Sequence, residues 1–383
     1  MRVIVVGAGI GGLAAAAALV RDGHQVLVLE RRLDPASGAG ISLWPNGLAA
    51  LDAIGLGDRV RGASAPVGAA TLRWCDGALL RKLPAQTLSE ALGESPVVIR
   101  RGVLHAILIG ALPSDTVRYG AAAIGSRMRG DGSMTVTDSS GDRLQADLVV
   151  AADGTRSRLA RTFNAGLDHR YAGYTAWRGI AERPLDPVWA GEVFGRRTQF
   201  GLAPLPDGRT YWFATERVAE GTTHPDKLAR VRLLADGWPE PIGAVLAATD
   251  PDSVMRTDLF DRRMARRWYD TRTVLIGDAA HPMRPHLGQG GCQALEDAAT
   301  LAAALRATDG VDEALARYQR VRRRRVRGVV GRSRLIGQAI NSIAPAVSER
   351  LIRASRLIPD QVVMTHLTHI AGRDAGRLQL NQP

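Results

Sequence analysis

The chain has 383 residues, 45% of them hydrophobic and 23% charged, and carries a formal net charge of +12. That length outgrows one small core and suits a large α/β domain with an inserted second domain, which leaves room for a well-buried ligand site. Cys75 and Cys292 lie too far apart for a disulfide framework or a CxxC metal or redox pair, no apolar run approaches the roughly 18 to 20 residues that span a bilayer, and no export leader precedes the first strand, so a soluble, cytoplasmic protein with no membrane partner is expected.

Arg2 to Val6 form a short β-branched run, followed by Gly7-Ala8-Gly9-Ile10-Gly11-Gly12 and the helix-forming stretch Leu13 to Val20. The order strand, glycine turn, helix has a physical use. Gly7 permits the tight turn, Gly9 lets backbone approach a pyrophosphate, and Gly12 lets the helix pack closely on the sheet with its N-terminus towards the phosphates. A second strand, Val26 to Leu29, ends in Glu30, about where a carboxylate accepts a hydrogen bond from a ribose hydroxyl. These residues point to a dinucleotide and leave NAD and FAD both open.

Further along, the strand-like run Ala146 to Ala152 ends in Asp153-Gly154, followed by Thr155, Arg156, Ser157 and Arg158. Between about Tyr171 and Arg267 the pattern changes to alternating, aromatic-rich strands. Tyr174, Trp177 and Phe194 precede a candidate hairpin: Gln199 to Leu205, the turn Pro206-Asp207-Gly208, then Thr210 to Thr215. Any one such aromatic is ordinarily a core residue. Thr273 to Ile276 forms another strand, ending in Gly277-Asp278 and leading through His281 to Gly288-Gln289-Gly290-Gly291-Cys292, with a helix expected from about Gln293. A lone Asp-Gly or Gly-Asp pair is an ordinary turn; three such strand ends in one chain are harder to dismiss. The dense basic run Arg317 to Arg334 has Leu315, Tyr318, Val321, Val329 and Val330 at roughly helical spacing. It reads as a helix packed on one face with a solvated arginine face. Only Lys82 and Lys227 are lysines, so the positive charge is an arginine bias of the whole chain, and no nucleic-acid partner is expected.

The stretches VIVVGAGIGGLAAA with Glu30, GISLWPNGLAAL from Gly40, RRGVLHAIL from Arg100, VVAADGTRSRLAR around Asp153, and IGDAAHPMRPHLGQGGCQALEDA from Ile276 together resemble one family. It is the aromatic-hydroxylase class of single-component flavoprotein monooxygenases, which includes p-hydroxybenzoate, salicylate and urate hydroxylases and zeaxanthin epoxidase. The resemblance implies an α/β fold: a Rossmann-like FAD-binding domain of the p-hydroxybenzoate hydroxylase (GR2) type, an inserted, mostly antiparallel β-sheet substrate domain, and C-terminal helices. On this chain the FAD domain would span residues 1–72, 97–170 and 270–335, the substrate domain 73–96 and 171–269, and the C-terminal helical segment 336–383.

Carried over by position, the resemblance puts Gly11 on the pyrophosphate, Glu30 on the adenosine ribose and Arg31 beside it. Ser42 and Arg101 would lie along the FAD chain, Asp278 on the ribityl hydroxyls, and Gly288, Gln289, Gly290, Gly291 and Cys292 beside the pyrimidine edge of the isoalloxazine. A glycine-rich helix N-terminus there would stabilise the negative charge of reduced flavin. Asp153 and Gly154 would serve both the FAD and the NAD(P)H pyrophosphate regions; Arg156 and Arg158 serve an incoming nicotinamide cofactor or are surface residues. Tyr211 falls where urate hydroxylases place a substrate-stacking tyrosine, and Gln199 stands where they carry an arginine. His286 could reach a substrate hydroxyl or stand in solvent, and His281 would hold its loop by hydrogen bonding.

The activity implied is that of an FAD-dependent monooxygenase. NADH or NADPH would be a transient electron donor, and O2 would supply one oxygen to a small aromatic or polyunsaturated substrate through a flavin C4a-hydroperoxide. The protein would act as a monomer or homodimer. The rival on the same fold is an FAD-dependent reductase or dehydrogenase that incorporates no oxygen. Because the hairpin lies in a different segment from every FAD motif, loss of Tyr211 is expected to spare FAD binding.

Overall fold

The computed structural model describes residues 1–33 and 39–376. The β-branched run forms β1 (Arg2–Val6), with Val3 to Val6 buried, and Gly7 ends it at φ 107°. Helix α1 (Ile10–Arg21) starts earlier than Leu13, because the glycines at 11 and 12 belong to its first turn. Strand β2 (Gln25–Glu30) returns parallel to β1. The chain continues through β3 (Gly40–Leu43), α2 (Pro45–Ala53), β4 (Ala69–Trp74), β5 (Leu79–Pro84), β6 (Val97–Arg100), α3 (Arg101–Ile109), β7 (Val117–Tyr119) and β8 (Leu148–Ala151). After these come β9 (His169–Ala181), β10 (Gly191–Gly195), β11 (Thr198–Pro204), β12 (Thr210–Glu216), β13 (Met255–Arg262), β14 (Tyr269–Asp270), β15 (Thr273–Leu275), α4 (Gly290–Arg306), α5 (Val311–Asn341) and α6 (Asp360–Ala371).

Among the described residues two sheets dominate. The first has the order β14-β15-β8-β1-β2-β7, with every pairing from β15 to β7 parallel. Val3 to Val6 of β1 and all of β8 are apolar and buried because helices cover the sheet. The alanines of α1 are nearly all buried in the same core as Leu295, Ala298 and Leu301 of α4, and their small size lets the two helices approach closely.

The second sheet has the order β13-β9-β12-β11-β10-β4-β5 and is antiparallel except between β10 and β4. The expected hairpin is its centre, β11 pairing with β12 so that Phe200 faces Ala214. One face packs Trp177, Phe200 and Trp212 against helices Lys227–Leu234 and Ile242–Ala247. Side chains alternate along strands, so the register puts Tyr174, Arg178, Tyr211, Phe213, Gln199 and Glu192 together on the other face. That face looks towards β3 and α5. The sheet takes in β4 from Ala69, slightly ahead of residue 73, while β6 pairs with β3 in a separate small sheet. Helix α6 packs back on helix Ala85–Leu92; of the segment 336–383, residues 377–383 lie outside the described residues. Among the described residues, no helix is long and apolar enough to cross a membrane.

Candidate active site

The glycine loop is shaped by close contacts. A Cβ on residue 12 would fall 1.9 Å from the Gly7 carbonyl oxygen, so the turn closes only with glycine there. Gly9 caps α1 without a side-chain hydrogen bond, and the space where its Cβ would stand is open. The uncapped N–H groups of this first turn are suited to an anion. Gly11 serves a second need: its Cβ position lies 3.1 Å from Ala294 Cβ, at the crossing of α1 and α4. Glu30 accepts hydrogen bonds from the Ala8 N–H at 2.8 Å and the Arg32 N–H at 2.9 Å, so it braces the loop. Arg31 beside it is exposed.

A second wall comes from three strand ends. Arg101 opens α3 and feels the charges of Asp278, Arg178 and Arg32, while Ser42 lies half-buried on β3 opposite Val98. Asp278 is exposed and accepts a hydrogen bond from the Thr155 hydroxyl at 3.3 Å; Arg262 fixes its backbone by donating to the carbonyls of Asp278 and Ala279 at 2.8 and 2.7 Å. Asp153 Oδ2 accepts from the Arg158 N–H at 2.9 Å, yet Oδ1 is buried without a partner, and burial raises this carboxyl above the usual range. An orphaned buried acceptor is costly, and a ribose or ribityl hydroxyl would satisfy it. Gly154 follows at φ 78° with open space beside it. Arg158 donates to the Ile124 carbonyl and Arg156 stacks on Phe260, so both arginines have partners in the protein.

The third wall is the N-terminus of α4. The helix begins at Gly290 rather than Gln293, because Gln289 is its cap residue and the glycines wind into the first turn. A Cβ at 291 would stand 2.9 Å from Ile41 Cδ1, and one at 288, where φ is 60°, 2.9 Å from Trp44 Nε1. The side chains of Gln289 and Cys292 turn away from this end. Gln289 accepts from Asn46 at 2.9 Å and Gln293 at 3.0 Å, and the Cys292 thiol, pushed by burial up to about 12, receives the Trp44 N–H at 3.3 Å. Both can serve a cofactor only through their backbone.

Behind this wall lies a buried charge cluster. Asp297 accepts the Gly277 N–H at 2.7 Å and meets His281 Nε2 at 2.5 Å, which ties down the loop carrying Asp278. Arg322, 1% exposed, binds Asp297 Oδ1 at 2.6 Å and also Glu296, to which Arg325 adds bonds of 2.6 and 2.7 Å. Burial alone would raise the Glu296 carboxyl; the charges of Arg322 and Arg325 hold it well below its ordinary value. The solvated arginine face expected for α5 is therefore only part of the helix: Arg322 and Arg325 point inward because buried carboxylates need counter-charges. Arg320, Arg324 and Arg332 line an outer cleft of about 1100 Å³ together with Met364 and His369.

The face of the second sheet closes the site. Tyr211 is 7% exposed and packs among Ala39, Val98 and Leu205, its phenol pushed up by burial and opposed by Arg178. His286 does not stand in solvent: its Nε2 meets the Tyr174 hydroxyl at 2.9 Å and its Nδ1 faces Gln199 Oε1 at 3.3 Å. Those partners suit the tautomer with the proton on Nδ1, donating to the Gln199 carbonyl. Burial, helped by the Arg284 charge, lowers the imidazole to about 4, so it is neutral at neutral pH. Gln199 in turn donates to Glu192 Oε2 at 2.5 Å. Burial raises Glu192 to about 7, with the Gln199 bond opposing. Sequence reasoning missed Glu192, and it named Tyr174 only as a strand aromatic. A glutamate at an inward position of the short strand GEVFG was the available signal.

Sequence and fold are both shared with known proteins. The profile of the FAD binding domain family matches residues 1–333. Aurachin C monooxygenase/isomerase of Stigmatella aurantiaca is 38% identical over 364 residues, which cover 92% of this chain and 94% of that protein. FAD-dependent urate hydroxylase of Klebsiella pneumoniae is 34% identical over 345 residues, 87% of this chain and 89% of its own. The crystal structure of Klebsiella pneumoniae HpxO complexed with FAD and uric acid has a TM-score of 0.89 at 29% identity, covering 97% of this chain and 96% of that one.

Proposed function

The chain belongs to the FAD binding domain family, and on that premise we propose that it is an FAD-dependent monooxygenase. It takes electrons from NADH or NADPH and places one oxygen atom of O2 into a small aromatic or polyunsaturated molecule. The observation that carries the reading is the convergence of two uncapped glycine-rich helix starts, at Gly9 and Gly290, with Glu30, Asp278 and the orphaned Asp153 Oδ1. When bound, FAD supplies the electron transfer and the oxygen activation.

The chain's own residues hold and shelter that chemistry. Gly9 and the first turn of α1 would take the pyrophosphate, and Glu30 the adenosine ribose. Asp278 and Asp153 would accept hydroxyls, with Arg101 adding positive charge. The backbone N–H groups of Gly290 and Gly291 would meet the polar edge of the ring, where the α4 dipole favours negative charge. The apolar part of the second sheet's inner face, Tyr211 and Phe213 above all, excludes water from the reacting carbon. His286 and Gln199 would position a polar group of the substrate. Gln199 stands where the resemblance to urate hydroxylases leads one to expect an arginine, so a substrate other than urate is proposed.

The test is NAD(P)H oxidation by the yellow holoprotein against phenolic, heteroaromatic and polyketide compounds under isotope-labelled O2. Label in the product is expected. A saturated product formed without O2 consumption would instead establish the reductase alternative.

A further inference from the structure

Glu192 has surroundings that suit a reacting group better than a structural one. Strand β10 pairs it with Gly201, and Gly201 pairs with Phe213, so all three share the inner face of the sheet. A Cβ at 201 would fall 2.0 Å from the Phe213 ring, which therefore lies across that glycine next to the carboxyl. Gln199 donates to Oε2 at 2.5 Å. Among the described residues Oε1 receives no hydrogen bond, and no cation forms an ion pair with the carboxylate. The other end of Gln199 leads to His286 and from there to Tyr174. This row spans β10, β11 and β9 and holds one carboxylate oxygen still while leaving the second uncommitted.

We propose that Glu192 selects and deprotonates the substrate: Oε1 accepts the proton of a hydroxyl on an aromatic or enolic ring held beneath the sheet. The inference rests on the monooxygenase reading and adds a substrate class to it, ring compounds bearing an acidic O–H. In the step, the substrate O–H bond breaks, its electron pair stays on the substrate oxygen, and the proton forms an O–H bond with Glu192. Nothing is oxidised or reduced, and the proton returns to the product oxygen as product leaves. The added electron density on the ring is what transfer of an electrophilic oxygen requires. A base is most effective when its pKa lies near the working pH, and burial brings Glu192 there. A half-buried acceptor oxygen with no other donor among the described residues also favours ligands that can donate to it over analogues that cannot.

The probes are p-nitrophenol and its methyl ether, p-nitroanisole, added to the holoenzyme at neutral pH, with the phenol's ionisation read from its absorbance. The wild type is expected to bind the phenol as phenolate and to prefer it over the ether by about tenfold or more. Glu192→Leu, which offers neither acceptor nor donor, with FAD content and Tm unchanged, should bind it neutral and lose most of that preference. The same phenolate fraction and preference in both proteins would overturn the proposal. So would a wild type that binds neither probe or both alike. If Glu192-dependent phenolate binding holds while no compound receives labelled oxygen, the monooxygenase reading fails and the role of Glu192 as a proton acceptor stands.

Discussion

The ring of Tyr211 rests on the backbone of Gly40: a Cβ at position 40 would fall 2.6 Å from Tyr211 Cγ and 3.0 Å from its Cβ. Gly40 begins β3, the strand that carries Ile41 and Ser42 along the expected FAD path. The hairpin and an FAD segment therefore touch, although they are far apart in sequence, and the expectation that they act independently needs correction.

Replacing Tyr211 should thus have two separable effects. Tyr211→Ala empties a buried cluster and should cost about 3 to 5 kcal/mol, with some loss of FAD through β3. Tyr211→Phe keeps the packing. In whatever alanine variant folds, NAD(P)H oxidation should continue while product per NAD(P)H falls, because substrate is held less often in line and water enters. Unchanged coupling in the folded alanine variant would make Tyr211 a packing residue alone.

Asp278 and Glu30 should separate affinity from stability. Asp278 is exposed and makes one long side-chain hydrogen bond, so Asp278→Ala should leave Tm nearly unchanged. It should weaken FAD by about ten- to a hundredfold, the worth of a charge-assisted hydrogen bond. Glu30 also holds the Ala8 and Arg32 N–H groups, so Glu30→Ala should lose FAD and Tm together. Flavin absorbance per protein after gel filtration, with melting curves, checks both; full retention of FAD by the Asp278 variant would remove it from the cofactor site.

Arg322→Met should be severe. It leaves Asp297 with His281, and Glu296 with Arg325, as the single remaining ion-pair partner among the described residues, in the core. Breaking a buried pair in this way costs about 3 to 5 kcal/mol. Adding Asp297→Asn should restore part of the loss in urea unfolding, and a double variant no better than the single would show that the charge pairing is not what matters.

Stability should also carry a pH signature. The Glu192 carboxyl is raised in the folded chain from 4.5 to about 7, so its favourable share is complete below 4.5 and is lost as pH rises through about 7. His286 works in the other direction. Its value falls from 6.5 to about 4, so its share is present above 6.5 and is lost as pH drops towards 4. Around pH 7 the falling Glu192 slope opposes the tail of the histidine slopes, and Glu192→Gln should remove that fall in denaturant midpoints measured between about 6 and 8. A fall that survives the substitution would assign it to another group.

What could be read from the sequence was local. Gly7, Gly9, Gly12, Glu30 and Asp278 announce themselves because a turn, a helix start and a strand end are each specified within a few residues. The partners of Asp297, the inward side of Glu192 and the contact of Tyr211 with Gly40 depend on strand register and helix packing between distant segments, which no short window contains. The adjacent acids Glu296 and Asp297 inside a largely buried, alanine-rich helix were the one hint that α5 must turn some arginines inward. The start of α4 was misplaced for a related reason. Glycines have poor helix propensity, and here the close packing of Gly291 on Ile41 and of Ala294 on Gly11 of α1 outweighs it.

The order of strands in the first sheet sets a timetable for synthesis. Strand β1 gains β2 almost at once, but its other neighbour, β8, ends at Ala151, and β15 ends only at Leu275. The alanine face of α1 waits longer still, until α4 arrives to cover it, and the carboxylates of α4 are neutralised only when Arg322 leaves the ribosome. A nascent chain thus carries an open sheet edge and an uncovered apolar helix through most of its translation, which is the condition under which holding chaperones matter. Fragments that stop short of α5 would contain every dinucleotide signature and still lack Leu315, Tyr318 and Val326, which complete the core, and Arg322, which pairs with its carboxylates.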